Sequence, residues 1–160
     1  MVVERHGADS LAGAGVWDGD TVPHMILPAE IREAIVGHAR AEYPNEACGL
    51  LAVDGDGCVC HAYALTNTDA SPVSFTVDPD EHFAALTDAE SRGWSIGGSF
   101  HSHPRTDAVP SRTDIARALE PAWFYVIAGP LEPGPPSVRA WRIAGGSASE
   151  EPIDEVATCP

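Results

Sequence analysis

Two histidines, a serine and an aspartate lie close together in residues 98–119, at a spacing that could bind a metal ion. His101 and His103 are two residues apart, so on an extended backbone their imidazoles project to the same side. Asp114 follows in the first turn of a predicted helix, from which its carboxylate can turn back toward the strand end. Two imidazoles and a carboxylate leave one position of a tetrahedral Zn²⁺ open for water, which is the pattern of a catalytic zinc.

A structural explanation of the same residues competes with the metal site. Ser111 and Asp114 fit the capping box S-x-x-D, in which each side chain satisfies a backbone N–H at the start of a helix. A lone histidine in a turn is also more often packed or solvated than bound to a metal. Spacing alone therefore leaves both explanations open.

The stretch resembles the signature of the JAMM (MPN+) metallopeptidases, in which His-Ser/Thr-His-Pro precedes a serine and then an aspartate. The positions of that signature are filled by His101, Ser102, His103, Pro104, Ser111 and Asp114. The upstream glutamate of the family is matched by Glu46 in the segment YPNEACGLL. The resemblance covers residues 25–152 and implies a single MPN/JAMM domain with a mixed, curved β-sheet flanked by helices.

The resemblance also implies a role for each polar residue of the signature. His101, His103 and Asp114 would be the ligands of one Zn²⁺ per chain. Glu46 would take a proton from the attacking water and return it to the leaving amine. Ser111 would steady the oxyanion by hydrogen bonding.

The pattern along the chain predicts an α/β (α+β) domain in which helices interleave with strands and hairpins. We predict helices over residues 28–43, 78–93 and 110–121, the second with a capping box made by Asp78 and Glu81. Strands are predicted over residues 48–53, 58–65, 74–78, 94–100, 122–129 and 137–143. We expect residues 1–24 to be a flexible extension, residues 25–152 the domain and residues 153–160 a polar C-terminal tail.

The charge of the chain argues against several classes of partner. Acidic residues outnumber basic ones 24 to 9, which gives a formal net charge of −15. A nucleic-acid binder needs clustered cations, and an acidic surface also disfavours anionic lipid. All nine basic residues are arginine, so no lysine is available for Schiff-base chemistry.

The remaining features suggest a cytoplasmic protein with reduced thiols. The apolar stretch AWFYVIAG is too short to span a bilayer, and MVVERHGADS lacks the pattern of a signal peptide. The four cysteines show no framework spacing. We expect Cys48, Cys58 and Cys60 to be packing residues, and we expect Ser102, on the strand face opposite the two histidines, to be structural.

The sequence most resembles the short bacterial members of the JAMM family. That resemblance implies a partner, a small ubiquitin-like sulfur carrier with a Gly-Gly C-terminus, from which the peptidase releases cysteine. Two alternatives stay open: a peptidase that trims a precursor tail from a carrier in a secondary-metabolite pathway, and a non-catalytic MPN scaffold. The sequence leaves the oligomeric state open, a homodimer included.

Overall fold

The computed structural model describes residues 24–160, and these form three helices and eight strands. In chain order they are β1 (Met25–Pro28), α1 (Ala29–Glu42), β2 (Cys48–Val53), β3 (Val59–Leu65), α2 (Pro79–Ser91), β4 (Ser95–Ser102), α3 (Arg112–Arg117), β5 (Phe124–Gly129), β6 (Ser137–Ala144), β7 (Ser147–Glu151) and β8 (Ile153–Val156). Most of the predicted elements are present, with ends that shift by a few residues.

Six of the strands form one mixed sheet in the order β3-β2-β4-β5-β6-β7. The pair β4–β5 is parallel and every other neighbouring pair in this sheet is antiparallel. Strands β1 and β8 form a separate parallel pair. Helices α1 and α2 pack against the strands, so the expectation of a mixed sheet flanked by helices is confirmed.

Strand β2 is buried along its whole length because it has apolar residues on both faces. Leu51 and Val53 pack in the cluster that contains Ile35 of α1. Leu50 belongs to a second cluster with Ala85 of α2. Successive side chains of a strand point to opposite faces, and burying each large apolar side chain contributes about 1.5–3 kcal/mol. β2 therefore holds one helix on each side of the sheet.

The start of α2 differs in one detail from its prediction. The Asp78 carboxylate accepts hydrogen bonds from the backbone N–H groups of Asp80 and Glu81, as an N-cap should. The prediction that the Glu81 side chain completes a capping box is wrong. The Glu81 carboxylate instead accepts from the backbone N–H of Thr66 at 2.6 Å and from its hydroxyl at 2.9 Å, which ties the helix to the end of β3.

The strand predicted over residues 74–78 is wrong, since this segment belongs to a loop with a single bridge between Asn67 and Val77. The buried Asn67 side chain organises the loop: its Nδ2 donates to the carbonyl of Ser74, and its Oδ1 accepts from the N–H groups of Asp69 and Thr76. These side-chain hydrogen bonds satisfy backbone N–H and carbonyl groups that would otherwise pair with a neighbouring strand.

The C-terminal segment is more ordered than a polar tail. Strand β8 pairs with β1 from Met25↔Ile153 to Pro28↔Val156. Beyond it, Cys159 forms a disulfide with Cys58. The expectation of reduced thiols is therefore wrong for these two residues. Sequence spacing could not reveal the pair because 101 positions separate its members.

The predicted N-terminal extension, residues 1–24, lies outside the described residues except for His24. Within residues 24–160, no helix combines the length and apolar character needed to cross a membrane.

Candidate metal centre

Strand β4 brings the two histidines to the middle of the sheet. His101 is paired with Cys48 of β2 on one side and with Ile127 of β5 on the other. Just past the strand, the backbone N–H of His103 donates to the carbonyl of Ala128 at 2.9 Å. Both imidazoles are about 95 % buried. Their positions are thus set by backbone pairing in the buried part of the fold.

Asp114 completes a triangle of possible ligand atoms with these histidines. The two Nε2 atoms of His101 and His103 are 3.1 Å apart, and each lies 3.2 Å from Oδ2 of Asp114. Ligands at ~2.0–2.1 Å from a tetrahedral zinc are separated by about 3.3 Å. The triangle therefore has nearly the size and the donor types that a Zn²⁺ ion requires.

Hydrogen bonds behind the triangle fix the direction of two of its members. Nδ1–H of His103 donates to the carbonyl of Asp107 at 2.8 Å, which leaves the Nε2 lone pair for a metal. The backbone N–H of Ser111 donates to Oδ2 of Asp114 at 2.8 Å. Outer-shell bonds of this kind orient ligands and hold them in place.

The three groups of the triangle shift one another's pKa values. Burial lowers the pKa of His101, although the Asp114 carboxylate opposes this effect. Burial also acts to lower the pKa of His103, but its bonds to Asp114 and to the carbonyl of Asp107 outweigh it, so that pKa is raised. Burial acts to raise the pKa of Asp114, but hydrogen bonds from both histidines hold it well below its usual range. The aspartate is therefore ionised, as a metal ligand must be.

Glu46 is buried beside this centre, with 5 % of its surface exposed. Desolvation raises the pKa of its carboxyl from 4.5 to about 7, with His103 lowering it and Asp114 raising it through their charges. The backbone of Glu46 is held on both sides, because its N–H donates to the carbonyl of Ser71 and its carbonyl accepts from Asn67. A buried carboxyl with a pKa near neutrality is suited to proton transfer.

The two signature serines have different surroundings. Ser111 caps α3 through a complete capping box with Asp114, so the structural explanation holds for this residue, and its catalytic role stays a prediction. Ser102 is 1 % exposed, and its hydroxyl accepts from the backbone N–H of Ala47 at 2.8 Å. This bond ties β4 to the segment that carries Glu46, which agrees with the structural role expected for Ser102.

Three positions near the site were missed from the sequence. Asn67 supports the backbone of Glu46, and the carbonyl of Asp107 orients His103. A Cβ atom at Gly129 would lie 2.5 Å from the carbonyl oxygen of His103 and 2.9 Å from that of Thr106. Only a glycine leaves room for the segment that follows β4. The sequence did contain signals for two of these positions: the polar segment TNTD contains Asn67, and Gly129 ends the apolar strand AWFYVIAG.

Cys48 follows Glu46 closely but has the packing role expected of it. It is fully buried, and burial together with nearby carboxylates raises the pKa of its thiol to about 12. A thiol of this kind stays protonated near neutral pH and is a poor nucleophile.

A mixed sheet that presents two histidines at the end of a central strand, with an aspartate from the next helix, defines an α+β domain with a side-chain group that is compatible with a metal site. The chain belongs to the family of prokaryotic homologs of the JAB domain, whose model matches residues 28–144. This assignment agrees with the resemblance that the signature residues indicate.

Individual proteins of known sequence or structure resemble most of the chain. It is 36 % identical over 140 residues to the CysO-cysteine peptidase of Mycobacterium tuberculosis, covering 85 % of this chain and 94 % of that protein. It is 40 % identical over 116 residues to the desampylase of Haloferax volcanii, covering 69 % and 84 %. The solution structure of a protein from Desulfitobacterium hafniense matches with a TM-score of 0.76 and 39 % identity, over 84 % and 94 % of the chains.

Proposed function

We propose that this protein is a zinc-dependent peptidase that hydrolyses the amide bond after the C-terminal Gly-Gly of a small ubiquitin-like sulfur carrier, releasing cysteine. The observation that carries the proposal is the triangle of His101, His103 and Asp114 donor atoms, with sides of 3.1–3.2 Å, beside the buried Glu46. A non-catalytic scaffold has no need of three converging ligands and a buried acid.

The donor set fits zinc because it combines two neutral imidazole nitrogens with one carboxylate oxygen. When bound, Zn²⁺ would act as a Lewis acid on the scissile carbonyl and would lower the pKa of water. His101, His103 and Asp114 would hold the ion, and the carbonyl of Asp107 would keep His103 turned toward it.

Glu46 would carry the proton in this reaction. Its pKa of about 7 lets the carboxylate accept a proton from the attacking water and then give it to the amine that leaves. Burial excludes bulk water from the carboxyl, so the proton is passed within the site. The bond from Asn67 to the carbonyl of Glu46 keeps its backbone in place during both transfers.

Ser111 would stabilise the carbonyl oxygen as negative charge develops on it. Its Oγ accepts a hydrogen bond from the N–H of Asp114, which uses a lone pair and not the hydroxyl proton. That proton remains available for donation to an oxyanion. Helix capping and catalysis are therefore compatible at this residue.

The substrate class rests on the relatives and on the family resemblance. The relatives are named CysO-cysteine peptidase and desampylase, and both names support a peptidase that acts on conjugates of small ubiquitin-like carriers. A Gly-Gly tail is thin enough to enter a narrow groove with little steric hindrance. Extended tails of this kind are commonly bound through their backbone, and the folded body of the carrier would supply further affinity.

The test compares kcat/KM for an intact carrier–cysteine adduct with that for a peptide of the same last residues, following the products by mass spectrometry. We expect release of cysteine from the adduct and much slower cleavage of the peptide, which lacks the folded body. Equal rates for the two, or similar cleavage of unrelated unfolded proteins, would indicate a general peptidase. Release of a longer C-terminal segment in preference to cysteine would favour the tail-trimming alternative.

A further inference from the structure

A cavity of about 370 Å³ opens directly beside the metal centre. His101 and Asp114 form part of its wall, and much of the rest is apolar, including Phe75 and Trp123. Because two of the proposed ligands line it, one side of the bond that is cut must lie in or next to this cavity. Its lining therefore selects part of the substrate.

Arg117 is the one arginine among the described residues that line this cavity. Its Nη1 donates to the carbonyl of Phe75 at 3.0 Å, and the ring of Phe75 stacks on His101 with 4.7 Å between centroids. Arg117 is also close enough to Glu46 to act on it electrostatically. The guanidinium of this exposed residue is thus held next to the candidate site by its hydrogen bond to Phe75.

The guanidinium of Arg117 forms no ion pair within the described part of the chain. No carboxylate of residues 24–160 lies within 4.0 Å of its guanidinium, whereas Arg32, Arg92 and Arg139 each form an ion pair. Arg40, Arg105 and Arg112 also form no ion pair among the described residues, but of these four arginines only Arg117 lines the cavity. A guanidinium with free N–H groups binds a carboxylate well, often through two parallel hydrogen bonds.

The chemistry of the leaving group identifies the anion that Arg117 could bind. When a peptidase removes one C-terminal residue, the carbon of the free α-carboxylate lies only about 2.5 Å from the scissile nitrogen. An isopeptide bond to a lysine side chain places no carboxylate at that point. A cation near the scissile bond therefore distinguishes these two kinds of substrate.

We propose that Arg117 binds the α-carboxylate of the released residue and makes the enzyme selective for a single C-terminal amino acid over an isopeptide-linked protein. One nitrogen of the guanidinium holds the loop at Phe75, and the other N–H groups face the substrate. The apolar wall of the cavity then receives the side chain of the leaving residue. This inference rests on the proposed peptidase function and specifies its leaving group.

The experiment uses a small sulfur carrier ending in Gly-Gly, ligated either to cysteine or to cysteinamide. We expect the wild type to prefer the free acid by about 10- to 100-fold in kcat/KM, the range of hydrogen bonds to charged groups. Arg117→Gln should remove that preference, chiefly through a higher KM for the free acid, so that the acid and amide adducts are cleaved with similar kcat/KM. Arg117→Lys should keep part of the preference because it keeps the charge. Arg112→Gln, on the same helix, is the matched control.

A binding measurement separates this inference from the proposed function. In the Glu46→Gln background, where we expect turnover to be about 10²–10⁴-fold slower, Kd for the acid and amide adducts should differ by the same factor, and Arg117→Gln should abolish the difference. Two results together would overturn the role of Arg117 and leave the peptidase function intact. These are equal Kd values for the acid and amide adducts in Glu46→Gln, and equal kcat/KM values for the two adducts in the wild type. An equal loss on both substrates in Arg117→Gln would also overturn it, because it would show that Arg117 only anchors the loop.

Discussion

The imidazole of His103 donates from Nδ1 to the main-chain carbonyl of Asp107 over 2.8 Å. When the imidazole is neutral, this bond keeps its proton on Nδ1 and leaves the lone pair of Nε2, 3.1 Å from Nε2 of His101, for the proposed metal ion. The loop after β4 therefore sets the orientation of the His103 imidazole.

The first prediction concerns metal content. His103→Ala removes one of three proposed ligands, so the zinc content of the purified protein should fall well below one ion per chain. His61→Ala, which changes an exposed histidine, should leave it unchanged. Elemental analysis decides the matter, and full, equal zinc in wild type and His103→Ala would show that the ligand assignment is wrong.

Glu46→Gln should separate metal binding from proton transfer. The amide keeps the shape of the side chain but cannot exchange a proton, and general acid–base catalysis contributes about 10²–10⁴-fold in rate. We expect a loss of that size with full zinc content, and near wild-type activity for the exposed control Glu42→Gln. Turnover of Glu46→Gln close to that of the wild type would remove Glu46 from the mechanism.

The raised pKa of Glu46 predicts how the stability of the metal-free protein depends on pH. The folded state holds the proton up to about pH 7, whereas the unfolded chain releases it near 4.5. The folded state binds more protons in this window, so the free energy of unfolding should fall as pH rises from about 4.5 to 7. The loss from this one group is about 3 kcal/mol, at ~1.4 kcal/mol per pH unit.

Denaturant unfolding of metal-free wild type and Glu46→Gln, at several pH values between 4 and 8, measures this contribution by difference. Other groups titrate in the same range, but they are common to both proteins. The variant should gain stability relative to the wild type as pH rises. A constant difference across the range would show that Glu46 is not desolvated in the folded state.

Gly129→Ala should damage the metal centre without touching a ligand. The added methyl would lie 2.5 Å from the carbonyl of His103, and relief of that overlap must displace the segment after β4. Changes to the groups that orient metal ligands typically lower metal affinity by about 10–100-fold, so we expect a loss of that order in zinc titrations. Gly37→Ala is the control, since a Cβ there meets nothing within 4 Å. Unchanged zinc affinity in Gly129→Ala would mean that the segment adapts freely.

The disulfide between Cys58 and Cys159 should stabilise the fold in non-reducing solution. A cross-link of this span restricts the unfolded chain, and loss of a native disulfide typically costs about 2–5 kcal/mol. Cys159→Ser should therefore lower the unfolding free energy and make it insensitive to reductant. Cys60→Ser, which removes a free thiol, should change little.

Alkylation of the denatured protein provides a direct count of its thiols. Before reduction only Cys48 and Cys60 should react, and all four cysteines should react after it. Four modified cysteines in the protein purified without reductant would contradict the disulfide.

The sequence by itself determined the elements and residues that depend on near neighbours. The apolar run CGLLAV predicted β2, Asp78 predicted the start of α2, and the spacing of Ser111 and Asp114 predicted a capping box, because each signal acts over a few residues. The spacing of His101 and His103 likewise predicted that their imidazoles meet.

Tertiary structure alone decided the features that join distant parts of the chain. Packing buries Glu46 and gives it a pKa near neutrality, and Asn67 converts a predicted strand into the loop that supports Glu46. The pairing of β8 with β1, and the place of Arg117 beside the cavity, likewise depend on segments brought together only by folding. Desolvation and long-range pairing depend on the complete set of neighbours in space, which local sequence patterns do not specify.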